Sequence, residues 1–174
     1  MSRLNGPASP GGGPLHARQR YSTARVVTAL LFGAAAAGMA ALHFRFVPLE
    51  EIHDPGEIYM ALGACGAIAG WKWLGAHLGR GLGSTVRAAL VSAVAAGVLF
   101  SLAAGARSVV AAYGFSHFAT AEALFMHLIK KAVEMGELLV ASPAAIPSLL
   151  AAVGVGLLGE LARRAWDRVV IEPT

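Results

Sequence analysis

The side chains that could do chemistry in this 174-residue chain gather in one short segment between apolar runs. Carboxylates and imidazoles of this kind can hold a metal ion or another cation. The candidates are His43, Glu50, Glu51, His53, Asp54 and Glu57. The same segment also carries a helix start, because Asp54 can cap, Pro55 suits the first helical position and Glu57 follows the cap by three residues. This structural interpretation is favoured over a cation site.

No catalytic constellation can be named from the remaining residues. Cys65 is the only cysteine, which excludes an intrachain disulfide and a multi-cysteine metal site. It lies between Ala64 and Gly66 in an apolar run, where nothing activates a thiol. The zinc-protease HExxH pattern, the GxSxG elbow and the phosphate loop are absent, and the six histidines are scattered. We predict a protein that is not an enzyme and needs no cofactor and no metal.

The apolar runs around these residues have the length and composition of membrane helices. Apolar residues make up 56% of the chain and the mean hydropathy is +0.62, above the ~45–50% apolar share of soluble domains. About 20 apolar residues in a helix cross a hydrocarbon core of ~30 Å. Four such spans are predicted, near residues 26–44, 58–78, 88–106 and 143–161, with Lys72 the one charge inside the second. The sequence predicts an all-α, polytopic membrane helical bundle with about four transmembrane helices and one amphipathic helix.

The amphipathic helix is predicted for residues 119–140. Lys130 and Lys131 would cost roughly 5–7 kcal/mol near the centre of a span, more than the roughly 3–5 kcal/mol that its apolar residues return. Polar residues recur at three- and four-residue spacing on one face and apolar residues on the other. The helix is therefore expected on the outer side, either flat at the interface or folded against the bundle.

Charge placement predicts the orientation of a membrane domain at residues 23–168. With the N-terminus inside, ten Lys and Arg residues fall on the inner side and four on the outer side, as the positive-inside rule requires. Both termini are expected in the cytoplasm, with residues 1–22 a flexible Gly/Pro-rich tail and residues 169–174 a short tail. A signal peptide is the rival interpretation of the N-terminus, but the apolar stretch exceeds the usual ~7–15 residues. The expected partners are the lipid bilayer and either a second copy or other membrane proteins, and not nucleic acid.

Two separated segments resemble a known family. The first is Gly70-Trp71-Lys72-Trp73-Leu74-Gly75 followed by Leu78-Gly79-Arg80-Gly81, and the second runs from Gly156 through Gly159-Glu160-Leu161-Ala162-Arg163-Arg164 to Trp166. Together with the amphipathic stretch that carries Glu134, Glu137, Leu138 and Leu139, and with Pro143, they are similar to the TrgA family of bacterial membrane proteins linked to tellurite resistance, over roughly residues 24–168. The resemblance implies a protein of the bacterial cytoplasmic (inner) membrane associated with tellurite tolerance. The family-like motif residues are Gly70, Trp71, Lys72, Gly75, Gly79, Arg80, Gly81, Glu160, Arg164 and Trp166.

Three functions compete at this stage. The first is a non-enzymatic tellurite-resistance membrane protein, which a resistance phenotype would identify. The second is an accessory subunit or assembly factor of a larger membrane complex, motivated by the small-residue helix faces. The third is an oligomeric pore or transporter, which the nearly complete lack of ionisable groups inside the spans disfavours.

Overall fold

The chain folds as an all-α bundle. A computed structural model describes residues 14–46, 55–113 and 120–169, and within these ranges it contains helices and no strand. The helices are α1 (Pro14–Phe44), α2 (Pro55–Ala69), a π-helical segment (Gly70–Leu74), α3 (Gly75–His77), α4 (Leu82–Tyr113), α5 (Ala121–Ala141) and α6 (Ala145–Val169). This confirms the predicted fold class.

Among the described residues, three helical stretches are long and apolar enough to cross a bilayer: Ala24–Phe44, Leu82–Val110 and Ala145–Ala165. The protein is therefore membrane-embedded. The fourth predicted span, residues 58–78, is helical from Pro55 to His77, but the π-helical segment divides it into α2 and α3. The continuous helical run of about 23 residues has the length of a span, whereas α2 alone has 15 residues.

One predicted boundary differs from the observed helices and another agrees with them. Helix α1 begins at Pro14, inside the segment that the sequence assigns to a flexible tail ending at residue 22. Helix α2 begins at Pro55, as its predicted first position requires, while the predicted cap Asp54 lies outside the described residues. Residues 1–13 and 170–174 also lie outside them.

Helices α1 and α2 pack antiparallel through glycines. A Cβ atom built on Gly66 would lie 2.6 Å from the Ala36 Cβ, and one on Gly33 would lie 2.8 Å from the Gly63 carbonyl oxygen. Without side chains at these positions the two backbones approach closely, which is how helices associate in lipid. The sequence GxxxG at Gly66 and Gly70 therefore lies in a helix contact.

Helix α4 runs antiparallel to both α5 and α6. Gly105 of α4 lies against Leu128 and Ala132 of α5, and Gly156 of α6 lies against Ala89 of α4. Helix α5 starts after Thr120, whose side chain accepts a hydrogen bond from the Ala123 backbone N–H. Of the two placements left open for the amphipathic helix, the structure has the one folded against the bundle.

The bundle has two ends, which differ in their polar contacts. At one end, called here the Glu57 end, the Arg107 guanidinium contacts the Glu57 carboxylate. At the other, called the Glu160 end, Arg25 of α1 and Arg163 near the end of α6 both contact the segment around α3. Within the described residues, the first span therefore begins and the last span ends on the same side of the bundle.

Candidate functional site

A buried carboxylate organises the Glu160 end. Glu160 is 1% exposed. The Gly79 backbone N–H donates to Glu160 Oε2 at 2.5 Å, and Arg164 Nε donates to Oε1 at 3.1 Å. The Thr85 hydroxyl, which has a single hydrogen, lies within reach of both the Gly81 carbonyl oxygen at 3.2 Å and Glu160 Oε2 at 3.4 Å. Both carboxylate oxygens thus have donors, as a buried charge needs.

The partner of this carboxylate is a tight turn between α3 and α4. Gly79 and Gly81 adopt φ angles of +83° and +102°, which side-chain-bearing residues rarely adopt. The Arg80 backbone N–H donates to the His77 carbonyl oxygen at 3.2 Å. Arg163 donates to the Leu78 carbonyl, and its guanidinium lies against Gly79. The last turns of α6 therefore hold the turn through Glu160 and Arg163 together.

The surface around Glu160 is basic. The cations at this end include Arg25, Lys72, Arg80, Arg87, Arg163 and Arg164, beside the buried carboxylate of Glu160. Arg25 Nε donates to the Gly75 carbonyl oxygen at 3.3 Å, and Lys72 Nζ lies 5.8 Å from the centroid of the Trp73 ring. Lys72, Arg80 and Arg87 are exposed. Such a surface attracts anions and anionic lipid headgroups.

The structure brings part of the predicted motif together. Gly79, Glu160 and Arg164 meet in one hydrogen-bonded group, which includes the Glu160–Arg164 ion pair expected from their four-residue spacing. Gly70 packs against Phe32, and Gly75 against Arg25. Gly81 lies at the edge of the group, because its carbonyl oxygen accepts from the Thr85 backbone N–H at 3.1 Å and is within reach of the Thr85 hydroxyl. The side chains of Trp71, Lys72 and Arg80 are exposed and do not join it, and the side chain of Trp166 lies outside the described part.

Sequence reasoning missed the side chains that complete this group. The sequence pattern assigns Arg25 only to the charge bias that predicts orientation, and no motif includes Thr85. Helical spacing pointed to Arg164 because it lies on the same helix as Glu160. No spacing rule links Thr85 or Gly79 to a residue about 80 positions away, so nothing in the sequence could have identified them as partners.

The alternative cation site is not assembled among the described residues. His43 Nε2 lies 2.9 Å from Ser148 Oγ, and Glu57 contacts Arg107 at the Glu57 end. Glu50, Glu51, His53 and Asp54 lie outside the described residues. In the part of the chain that is described, no three His, Cys, Asp or Glu residues are grouped as metal ligands would be.

The Gly79 turn yields a matched pair of substitutions. In Gly79→Ala the new methyl would meet the Arg163 guanidinium as well as an unfavourable backbone angle, whereas in Gly81→Ala it meets open space. Both substitutions place a side chain at a positive φ, and Gly79→Ala must also displace the flexible Arg163 guanidinium from the Leu78 carbonyl. We expect Gly79→Ala to lower the free energy of unfolding by about 1–2 kcal/mol and Gly81→Ala by about 1 kcal/mol. Denaturant titration in detergent micelles measures both. Equal losses in the free energy of unfolding would show that the Arg163 guanidinium moves aside at no cost.

Comparison with family models, with curated proteins and with solved structures finds no match for this chain.

Proposed function

We propose that this protein is a non-enzymatic integral protein of the bacterial cytoplasmic membrane that supports tellurite tolerance, as the TrgA family does. One observation supports the proposal. The two segments that carry the resemblance are about 80 residues apart, yet they meet where Gly79 donates to the buried carboxylate of Glu160. This contact supports treating the two segments as parts of one structural unit.

The proposed topology is multi-pass with both termini in the cytoplasm. Arg25 at the start of the first span and Arg163 near the end of the last both contact the α3 region. The basic Glu160 end would face the cytoplasm, where the positive-inside rule places such charges.

The proposed role of the Glu160 group is to hold a basic surface in place. The carboxylate fixes the Gly79 turn, which keeps Arg80 and the nearby Lys72 exposed at the membrane surface. Exposed cations raise the local concentration of anions, and tellurite is an oxyanion. The protein would act by binding at this surface and not by a reaction.

Tellurite tolerance of a deletion strain tests the proposal. We expect tolerance to fall on deletion and to return with the wild-type chain. A Lys72→Ala, Arg80→Ala double variant should leave tolerance at the level of the deletion strain, because it removes two exposed cations of the Glu160 end. Arg45→Ala is the matched control, since it removes an exposed cation beyond the end of α1 at the Glu57 end. All chains must be present in the membrane at equal amounts.

Two outcomes would contradict the proposal. Unchanged tolerance on deletion would remove the link to tellurite. Full rescue by the double variant would remove the role of the basic surface while leaving that link.

Helix α5 supports the second candidate function, an accessory subunit of a larger membrane complex. Its outward face carries the exposed charges of Lys130 and Glu137 beside Val133 and Val140, which are 53% and 79% exposed. Lys131 donates to Glu134 at 2.8 Å, which holds the pKa of that carboxyl below its usual value. A face that mixes charges with large apolar groups suits another protein better than lipid alone. Recovery of the chain without any stoichiometric partner after mild solubilisation would exclude this function.

A further inference from the structure

A cavity of about 540 Å³ lies between α1, α4, α5 and α6. Of the described side chains that line it, only His43, Ser101 and Ser148 are polar. The cavity is more than three times the size of an apolar cavity of ~150 Å³ that stays dry and binds benzene. An apolar cavity of this size favours an apolar ligand, because water finds few hydrogen-bond partners there and an empty cavity loses van der Waals contacts.

The cavity opens on the outer surface of the bundle. Four valines on its wall, Val94, Val98, Val133 and Val140, are each more than half exposed. They belong to α4 and α5, and α5 has few contacts with α6 on the other side of the opening. Val94 and Val98 lie on α4, a helix long and apolar enough to cross the membrane, so this side of the opening faces the hydrocarbon of the bilayer and the occupant would enter sideways from the lipid.

The shape of the cavity matches one leaflet. Its wall on α1 runs from Phe32 to His43, which is about 16 Å along a helix, and its wall on α4 runs from Ala93 to Leu102, about 13 Å. Half of a hydrocarbon core of ~30 Å is about 15 Å. The cavity is therefore elongated along the helices and about as long as a lipid chain that crosses a single leaflet.

Polar groups mark one end of the cavity. Ser148 Oγ donates to the Ala144 carbonyl oxygen at 2.8 Å, so its single hydrogen is used and it must accept from His43 Nε2–H at 2.9 Å. His43 is 6% exposed, and its Nδ1 has no partner among the described residues. Both His43 and Ser101 lie toward the Glu57 end, whereas Phe32 and Ala93 line the opposite end. The polar side chains of the lining therefore lie toward the Glu57 end, and an occupant with one polar end would place that end there.

We infer that the cavity binds one long acyl chain of a membrane lipid, with the polar end of the lipid toward His43 and the end of the chain toward Phe32. Phospholipids and free fatty acids both carry such an acyl chain. The cavity geometry identifies the chain as the occupant, and either kind of lipid could supply it. This binding site does not depend on the tellurite proposal, since it lies on residues outside the Glu160 group.

Two glycines allow a matched test on the full-length chain. A Cβ on Gly97 or on Gly154 would meet nothing within 4 Å, but only Gly97 lines the cavity. Gly97→Phe therefore fills the cavity, and Gly154→Phe adds the same side chain to α6 away from its lining. Native mass spectrometry after exhaustive detergent exchange measures the lipid that each chain retains.

We expect the wild-type chain and Gly154→Phe to retain one lipid. The lipid-bound fraction of Gly97→Phe should fall by roughly tenfold or more. The mass of the adduct separates a phospholipid from a free fatty acid. Thermal unfolding controls for folding, and Gly97→Leu is the smaller replacement should the phenylalanine lower the Tm.

Two results would overturn the inference. One is a wild-type chain that keeps no lipid after exchange. The other is equal retention by wild type and by folded Gly97 variants, which would place the lipid elsewhere on the surface.

Discussion

Replacing Glu160 by alanine is expected to lower the free energy of unfolding by about 2–4 kcal/mol. The carboxylate is 1% exposed and accepts from the Gly79 N–H and from Arg164, with the Thr85 hydroxyl in reach. Its removal leaves the Gly79 N–H without a partner inside the bundle and releases the turn between α3 and α4. Titration with a denaturing detergent, followed by circular dichroism, measures the loss.

Arg164→Ala is the control for that experiment. The Arg164 side chain is 47% exposed, so we expect its loss to cost no more than about 1 kcal/mol. The free energy of unfolding of Glu160→Gln should lie between those of Glu160→Ala and Arg164→Ala, because the amide oxygen can still accept from the Gly79 N–H while the charge is gone. If Glu160→Ala unfolded like the wild type, the carboxylate would not be what holds the turn.

Replacing Gly33 by leucine is expected to separate α1 from α2 and to cost about 1–3 kcal/mol. Already the first carbon of a side chain would lie 2.8 Å from the Gly63 carbonyl oxygen and 3.0 Å from the Ala67 Cβ. A backbone oxygen cannot move aside as a flexible side chain can, so the helices must shift. The Tm and the denaturation midpoint in micelles both report the change.

Gly38→Leu provides the comparison within the same helix. Its Cβ would meet nothing within 4 Å, so an added side chain should change the free energy of unfolding by no more than about 0.5 kcal/mol. Equal effects at Gly33 and Gly38 would mean that the loss comes from removing a helical glycine and not from the contact with α2.

The fold could be predicted because its signals are local. A run of apolar residues without charges, such as that between Val26 and Phe44, indicates a membrane helix whatever lies elsewhere in the chain. The amphipathic pattern around Lys130 likewise indicates α5. The sequence does not predict the π-helical segment, because Gly70 to Leu74 continue the helical span and their hydrogen-bond spacing depends on packing.

The site could be predicted only in part, because its contacts join distant residues. The Glu160–Arg164 pair follows from helical spacing, whereas the Gly79–Glu160 bond depends on how α6 lies against α3. Glu160 itself was expected near the end of a span, as an interfacial residue. Its burial follows from the approach of the glycine turn, which composition does not reveal.

The π-helical segment also has a consequence for the phase of the helix that contains it. The Gly75 N–H donates to the Gly70 carbonyl oxygen, so this turn holds one residue more than an α-helical turn. Each residue of an α-helix advances the direction of its side chain by ~100°, and the residues after Leu74 are therefore turned by about that angle. Gly66 faces α1 before the segment, while Leu74, the last residue of the segment, packs toward Gly156 of α6. Deleting one residue from this turn would barely change length or hydropathy, yet it would rotate the Gly79 turn away from Glu160.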